Sequence, residues 1–394
     1  MFSEKRIFQR IKAANGFCFL SIRWQPLSVG VMVLFAILFL ALDNTSAQDE
    51  QSTGRRDDLI RLMPIYQRWS QGKGNEFAQF SVPVYVRLAF GRSLSLALRG
   101  SQATASGGNV QKLSGVTDTQ LSFFCSAANF IFNLGFNFPS GKRALTYDEF
   151  LTTSLLSLNH YNFQTPSYGQ GFNVSPGFTW AWPLSEKFAV GLGASYQYKG
   201  KFKPLAFIDN YDPGDEILLT GGLDWRMGET AKFAVDVIFT LYGKDKIDTN
   251  VVFAAGNRFV THAQFRQNFG YDEIFLFARY LSRGKNSLAV GGALLPEDKK
   301  SAPDQIEMIG HYFHRFNRGF ASGILVEGRY FTKPAAVTLL SSAGISIFGF
   351  GVTPEFSLAP GLRIPLRVKY LLGRTQNGQS ISGLEAGAGM AVSF

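Results

Sequence analysis

The chain has 394 residues, enough for two or three soluble domains or for one large barrel. It contains 41 Gly and 38 Phe but only 17% charged residues, against about 25% in an average soluble domain. A mean hydropathy of +0.02 is too low for a helical membrane protein and fits a barrel in which apolar and polar residues alternate. The formal charge of +10 comes from scattered basic residues, a pattern that does not indicate a nucleic-acid-binding protein.

The N-terminal region has the features of a secretory signal. Basic residues precede the uncharged run 27–42, and Ala47 offers a small residue for cleavage. We expect 1–47 to be a signal peptide that directs export, because the run falls short of the roughly 20 apolar residues that span a bilayer. The alternative is a retained anchor. Cys125 is then the only remaining cysteine, so neither a disulfide framework nor a zinc site is expected.

A two-residue rhythm dominates the rest of the chain. Every even residue from Phe80 to Phe90 is apolar, and similar alternation returns at 188–198, 362–372 and 384–394. Repeated alternation with almost no helical periodicity predicts antiparallel β-structure. We expect 76–394 to form a β-barrel.

The polar segment before the barrel has a separate expected role. We expect residues 48–75 to form a short plug or a periplasmic extension. Within this segment, 63–69 has a pattern that also suits a barrel strand.

The connections between the alternating segments differ systematically in length. Short turns alternate with longer links at 102–115, 139–170, 200–214, 243–255, 284–304, 333–341 and 374–379. This layout predicts an all-β fold, a transmembrane antiparallel outer-membrane β-barrel with short periplasmic turns and longer extracellular loops. The chain contains fifteen such alternating segments, but a bacterial outer-membrane barrel has an even number of strands. We therefore predict about 14 strands, with 16 as the alternative. The segment 63–69 would supply a missing first strand, and 287–295 is either an extra strand or part of a loop.

Residues opposite the apolar faces are expected to line the lumen, where charge lies beside water. The predicted lumen-lining residues are Arg87, Phe124, Arg258, His262, Arg266, Phe275, Phe277, Arg279, Phe313, Arg329, Arg363, Arg367 and Lys369. The charged members favour a conduit that prefers anionic or polarisable solutes, or else ion-pair ladders that stiffen the wall. The aromatic members suit an apolar binding path, or else the aromatic girdles near strand ends.

The link 139–170 contains a helix signal. Thr146 and Glu149 have the spacing of a capping box, and leucines follow at helical spacing. This pattern predicts a short amphipathic helix at the outer rim. Its apolar side chains would capture hydrophobic solutes or, alternatively, pack against neighbouring loops; the capture candidates are Phe150, Leu151, Leu155 and Leu158.

Catalytic and metal-binding patterns are weak. His311 and His314 are three residues apart in an expected strand, which places them on opposite faces and argues against a shared metal. No nucleophile elbow or phosphate-binding loop is recognisable. We predict no enzyme activity, no cofactor and no metal, with a barrel hydrolase using His262 or His311 as the alternative. Phe394, an aromatic last residue on an alternating strand, resembles the signal read by the barrel-assembly machinery.

Two stretches carry a family resemblance. The strand SGVTDTQLSFF (114–124) and the hairpin FNLGFNFPSGK (132–142), with its Pro-Ser-Gly-Lys turn before a long loop, resemble outer-membrane proteins associated with phenol meta-cleavage pathways. That group is related to the FadL-type transporters of fatty acids and aromatic hydrocarbons. The resemblance extends loosely over 76–394. It implies a barrel of about 14 strands, partly plugged by its N-terminal segment, that passes hydrophobic molecules by diffusion.

Together these patterns predict a channel in the outer membrane of a Gram-negative bacterium for passive uptake of small hydrophobic or aromatic compounds. A general or anion-preferring porin is the first alternative, and a non-transporting structural or adhesion barrel is the second. The expected partners are outer-membrane lipids, the barrel-assembly machinery and the small hydrophobic solutes themselves. The oligomeric state and the transported solute are left open.

Overall fold

The computed structural model describes residues 58–72, 76–91, 93–108, 110–334 and 344–394. The expected signal peptide 1–47 therefore lies outside the described residues, as does 48–57. Almost all regular structure is β-strand, as the alternation predicts. Within the described ranges, no helix is both long and apolar enough to cross a membrane.

The described residues form sixteen barrel strands, four of which are interrupted. These are β1 (Leu59–Leu62 with Ile65–Gln71), β2 (Glu76–Phe90), β3 (Leu94–Gly107), β4 (Val110–Val116 with Thr119–Ala127), β5 (Phe130–Phe138), β6 (Asn173–Pro183), β7 (Phe188–Lys199), β8 (Glu216–Arg226), β9 (Ala231–Tyr242), β10 (Arg258–Phe269), β11 (Asp272–Arg283), β12 (Gln305–Arg315), β13 (Phe320–Phe331), β14 (Ile345–Val352 with Glu355–Ala359), β15 (Leu362–Thr375) and β16 (Ser380–Ala388 with Met390–Ser393). Each pairs antiparallel with its neighbours in the chain.

The sheet closes on itself between β1 and β16. Leu59 lies opposite Ser393 and Leu62 opposite Met390, and the backbone N–H of Phe394 donates to the carbonyl oxygen of Asp58 at 3.3 Å. Closure leaves no free edge, which is the condition for a sheet in a bilayer. The all-β barrel is confirmed, and its 16 strands agree with the alternative count instead of the favoured 14.

One boundary expectation is corrected. Residues 59–71 are not a plug or extension, because they pair with both β2 and β16 and are part of the barrel wall. The alternative that 63–69 supplies the first strand is confirmed. Pro64 lies in the gap between the two parts of β1, where a missing N–H does not break the ladder. For 287–295, the alternative of part of a loop is confirmed: 287–290 and 293–296 form a hairpin in a separate five-stranded sheet built from long loops.

The two faces of the wall differ as the alternation predicts. In β2, Phe77, Gln79 and Ser81 are buried, whereas Phe80 and Phe90 are exposed on the opposite face. Charged side chains on the outward face of the described strands lie only near strand ends: Arg68, Glu76, Lys112, Asp272 and Arg374. A charge at the bilayer midplane would cost about 2–4 kcal/mol, so this placement fits a face that contacts lipid.

The buried apolar cluster lies between the inner wall and the link 139–172. It joins Trp69, Phe77 and Leu371 of the wall to Tyr161 and Phe163 of the link. The link also contains helix α1 (Tyr147–Leu156). The link was expected at the outer rim, but its second half lies inside the barrel.

Candidate lumenal site

Asp118 holds both ends of the link 139–172 together. Its Oδ1 accepts from the backbone N–H of Gly141 at 2.8 Å, and its Oδ2 accepts from the backbone N–H of Gln170 at 2.7 Å. The side-chain amide of Asn137 donates to the same Oδ2 at 2.8 Å. A Cβ at Gly141 would collide with the carbonyl oxygen of Tyr168, so glycine is required in this turn.

Helix α1 begins at the predicted capping box. The Thr146 hydroxyl accepts from the backbone N–H of Glu149 at 3.3 Å, and the Glu149 carboxylate accepts from the backbone N–H of Thr146 at 3.1 Å. These reciprocal bonds satisfy two donors at the helix start. The helix and its cap are therefore confirmed.

The helix face that packs inward differs from the predicted stripe. Leu156 and Thr152, one turn apart, are the buried pair, whereas Phe150 and Leu151 are about 40% exposed. Leu155 and Leu158 pack at the margin of the buried cluster. Since Thr152 Oγ1 donates to the carbonyl oxygen of Gln111 at 2.9 Å, this polar residue tolerates burial. Capture of solutes by the four candidate residues stays a prediction.

The segment 160–165 is attached to the inner wall by wall side chains. Gln67 donates to the carbonyl oxygen of Asn162 at 3.1 Å and accepts from the backbone N–H of Gln164 at 2.6 Å. Gln79 donates to the carbonyl oxygen of Thr165 at 2.7 Å and accepts from the backbone N–H of Thr165 at 2.9 Å. Each glutamine amide therefore satisfies loop backbone groups as a neighbouring strand would.

Aromatic packing accompanies these hydrogen bonds. The Tyr161 ring lies 4.6 Å from Phe77 and 5.4 Å from Trp69, measured between centroids. Burial raises the pKa of Tyr161 to about 12. Burial also lowers the pKa of the neighbouring His160 to about 4, and the Arg329 guanidinium acts in the same direction. The link is therefore packed onto the wall with a neutral imidazole at pH 7.

A buried charge cluster anchors the same segment. Glu327 pairs with Arg329 at 2.6 Å and with Lys369 at 2.9 Å. Lys369 also lies 3.4 Å from Glu385, which pairs with Arg367 at 2.7 Å. All except Arg367 are at least 94% buried. Because removing one partner of such a group leaves a buried charge uncompensated, the cluster fixes its geometry strongly.

Strand parity places all thirteen predicted lumen-lining residues on the inward face. Arg87 lies beside Leu59, and Phe124 lies opposite the buried Ser95. The remaining residues are placed by the registers of β9 to β16. Their role in conduction stays a prediction.

Charge on the inward face is unbalanced. Among the described strands, the inward basic residues are Arg61, Arg87, Arg99, Lys199, Arg226, Lys232, Arg258, Arg266, Arg279, Arg283, Arg315, Arg329, Arg363, Arg367 and Lys369. The inward acidic residues of the wall are Asp118, Glu216, Asp224, Asp236, Glu273, Glu307, Glu327, Glu355 and Glu385. Fifteen basic and nine acidic residues leave the inward face of the described wall with a net charge of +6. Seven of the basic residues have a carboxylate within 4 Å.

Three inward aromatic residues lie close together on β11 and β12. Phe275 and Phe277 of β11 lie opposite His311 and Ile309 of β12. The Arg266 guanidinium lies over the Phe275 ring, 5.5 Å from its centroid. These aromatic side chains therefore lie among inward arginines of β10 to β12, and we call Phe275, Phe277 and Phe313 the aromatic strip.

Sequence reasoning missed several residues of the site. Arg61 and Gln67 were assigned to the N-terminal segment, and Gln79 was not recognised as a loop-binding residue. A signal for Gln79 was present in the sequence. Gln79 is a polar residue that shares a strand face with Phe77 and Ser81, and this face is opposite the lipid-facing residues. Among the described residues, no group of three or more His, Cys, Asp or Glu side chains could hold a metal ion.

One comparison with a solved structure supports the fold. No protein-family model matches the chain, and no curated protein matches its sequence. CdiB from Acinetobacter baumannii is similar in structure, with a TM-score of 0.52 and 7% identity; the match covers 86% of this chain and 60% of that one. OpdQ of Pseudomonas aeruginosa matches with a TM-score of 0.43 and 9% identity over 86% and 99% of the chains. OprD of the same organism matches with a TM-score of 0.42 and 7% identity, and the match covers 89% of this chain and 98% of that one.

Proposed function

We propose that the protein is an outer-membrane channel that passes small solutes passively and prefers anions. The observation that carries this proposal is the set of inward basic residues with no carboxylate within 4 Å among the described residues: Arg61, Arg87, Arg99, Arg226, Lys232, Arg258, Arg283 and Arg315. Because a lumen lined by one sign of charge concentrates the opposite ion, these residues favour anions. Residues 162–165 of the link lie against the inward face of the wall.

Reconstitution of the full chain into planar bilayers tests this proposal. With a KCl gradient, we expect a reversal potential that shows preference for chloride. Replacing Arg61, Arg87 and Arg99 together by Gln should reduce the preference, since three lumenal charges are lost. The matched control is Arg374→Gln, which removes an arginine from the outward face and should leave the reversal potential unchanged. Cation selectivity would contradict the proposal, and the absence of conductance would favour the non-transporting barrel.

Uptake of small hydrophobic or aromatic compounds is the second candidate function. The aromatic strip of Phe275, Phe277 and Phe313 favours it, and so does the resemblance to phenol meta-cleavage and FadL-type transporters. Its test is modulation of the ion current by benzyl alcohol. Phe277→Ser should weaken this effect, whereas Phe265→Ser, on the outward face, should not. An equal effect in both variants would argue against an apolar path in the lumen.

A further inference from the structure

A cavity of about 820 Å³ lies between the inward-folded link and the wall. One side is formed by the link residues 164–170, and the other by β1 to β5 together with Arg367 of β15. The cavity is large enough for a small organic molecule. Arg61, Tyr85 and Arg99 of its lining belong to the inward face, so the cavity lies on the lumenal side of the wall.

Two arginines flank one tyrosine in this cavity. Arg61 lies opposite Tyr85 in the register of β1 and β2, and Arg99 lies opposite Tyr85 from β3. The Arg99 guanidinium is 5.0 Å from the Tyr85 ring centroid. Since adjacent strands are about 4.8 Å apart, the two arginine backbones are separated by about 10 Å. The cavity therefore presents two guanidinium groups at one level of the wall.

Neither guanidinium is neutralised by the described part of the chain. No described carboxylate lies within 4 Å of Arg61 or Arg99. Asp118, the one carboxylate in the cavity lining, is occupied by donors from Gly141, Gln170 and Asn137. The third arginine of the lining, Arg367, is paired with Glu385. Two cationic forks thus remain for a ligand.

We propose that this cavity is a binding site for small dicarboxylates. Each guanidinium can take one carboxylate through two parallel N–H···O hydrogen bonds, the geometry that arginine favours. The hydrocarbon part of the ligand then spans the space between the two guanidinium groups. A monocarboxylate can engage only one of the two forks. This inference rests on the proposed function, because a solute reaches the cavity through the lumen.

The experiment compares succinate with butyrate, which has the same number of carbons but one carboxylate. Full-length barrel in planar bilayers is titrated with each acid at constant ionic strength, and the half-saturation of current block is measured. A second readout, isothermal titration of the barrel in detergent, measures binding without requiring conduction. We expect succinate to bind at least about tenfold more tightly than butyrate, as one additional charged hydrogen-bonded pair would give.

Arg61→Gln and Arg99→Gln should each abolish the difference between the two acids. The matched control is Arg258→Gln, which removes an inward arginine that has no described carboxylate partner and does not line the cavity. Equal affinity for succinate and butyrate in the unaltered barrel, or equal losses in Arg61→Gln and Arg258→Gln, would overturn the site. Succinate binding without conductance would reject the proposed channel and keep the site. An anion-selective current without a preference for succinate would reject the site and keep the proposed channel.

Discussion

Arg329 of β13 donates from Nη1 to the carbonyl oxygen of His160 at 2.7 Å, joining residues that are 169 positions apart. The same guanidinium contacts Glu327 through Nε and Nη2, at 3.1 and 2.6 Å, and lies over the Trp69 ring. One side chain therefore connects the buried charge cluster to the link inside the barrel. This connection holds the link in place together with the hydrogen bonds of Gln67 and Gln79.

Replacing Arg329 by Gln should release the link and destabilise the barrel. Loss of one partner from a buried charge group costs about 3–5 kcal/mol, because Glu327 is left with Lys369 alone. Urea unfolding in lipid vesicles measures the change. The control is Arg363→Gln, which removes a half-exposed arginine 3.6 Å from Glu355 and should cost about 1 kcal/mol or less. Equal losses in the two variants would show that Arg329 is not an anchor.

Protonation of His160 should weaken the attachment of the link. Its pKa is lowered to about 4 by burial and by Arg329, against about 6.5 in the unfolded chain. Between pH 6.5 and 4 the unfolded state therefore binds more protons at His160 than the folded state does. The contribution of neutral His160 to folding stability is complete above pH 6.5 and is lost as the pH falls below it. The loss approaches about 3 kcal/mol near pH 4.

Thermal unfolding between pH 7.5 and 4 measures this dependence. His160 contacts the Tyr161 and Phe331 rings, and its carbonyl oxygen accepts from Arg329, which pairs with Glu327. His160→Asn removes the titrating group and should flatten the pH profile. An unchanged profile in His160→Asn would assign the acid sensitivity to the carboxylates.

Asp118→Asn should loosen the contact that holds the two ends of the link together at Gly141 and Gln170. Asparagine keeps the size of the side chain, but one oxygen becomes an NH₂ group that cannot accept from the donors now facing Asp118. Hydrogen bonds to a charged group contribute about 1.5–3 kcal/mol each. We expect faster proteolytic cleavage within 139–172 and a higher conductance. Asp224→Asn, also on the inward face, is the control, and identical conductance and cleavage in the two variants would contradict this role.

The faces of the wall could be predicted from sequence because strand alternation is a local property. The arginines and phenylalanines of β10 to β15 were assigned to the inward face from parity with their neighbours. The first strand was harder to recognise, because Pro64 interrupts its alternation and its pairing partners lie at 76–90 and 380–393. Strand count depends on such distant partners.

The inward position of the link could not be predicted. Its local sequence specifies the helix cap at Thr146 and Glu149, and that prediction is confirmed. Its direction is determined by Gln79, which is 86 positions from Thr165, and by Arg329, which is farther still from His160. Such contacts have no periodic signature in the sequence. The buried Leu156 was missed for the same reason, since the surface it packs against comes from other segments.

Phe394 provides a test of assembly. Its ring is about half exposed, and its backbone N–H bonds to Asp58 at the closure of the barrel. We propose that this aromatic residue at the closure is read during barrel assembly, so deleting Phe394 should reduce the amount of heat-modifiable barrel in the outer membrane. Phe394→Tyr keeps the aromatic ring and should assemble normally. Normal assembly of the deletion variant would contradict the prediction.

The central claim, that apolar side chains contact lipid and the opposite face encloses water, is tested most directly by single cysteines in β9. In a full-length Cys125→Ser background, Asp236→Cys and Ile238→Cys on the inward face are compared with Val237→Cys and Phe239→Cys on the outward face. The probe is a membrane-impermeant, negatively charged thiol reagent added to barrels in lipid vesicles. We predict rapid labelling at 236 and 238, with labelling at 237 and 239 only after denaturation. Equal labelling rates at all four positions would contradict the account.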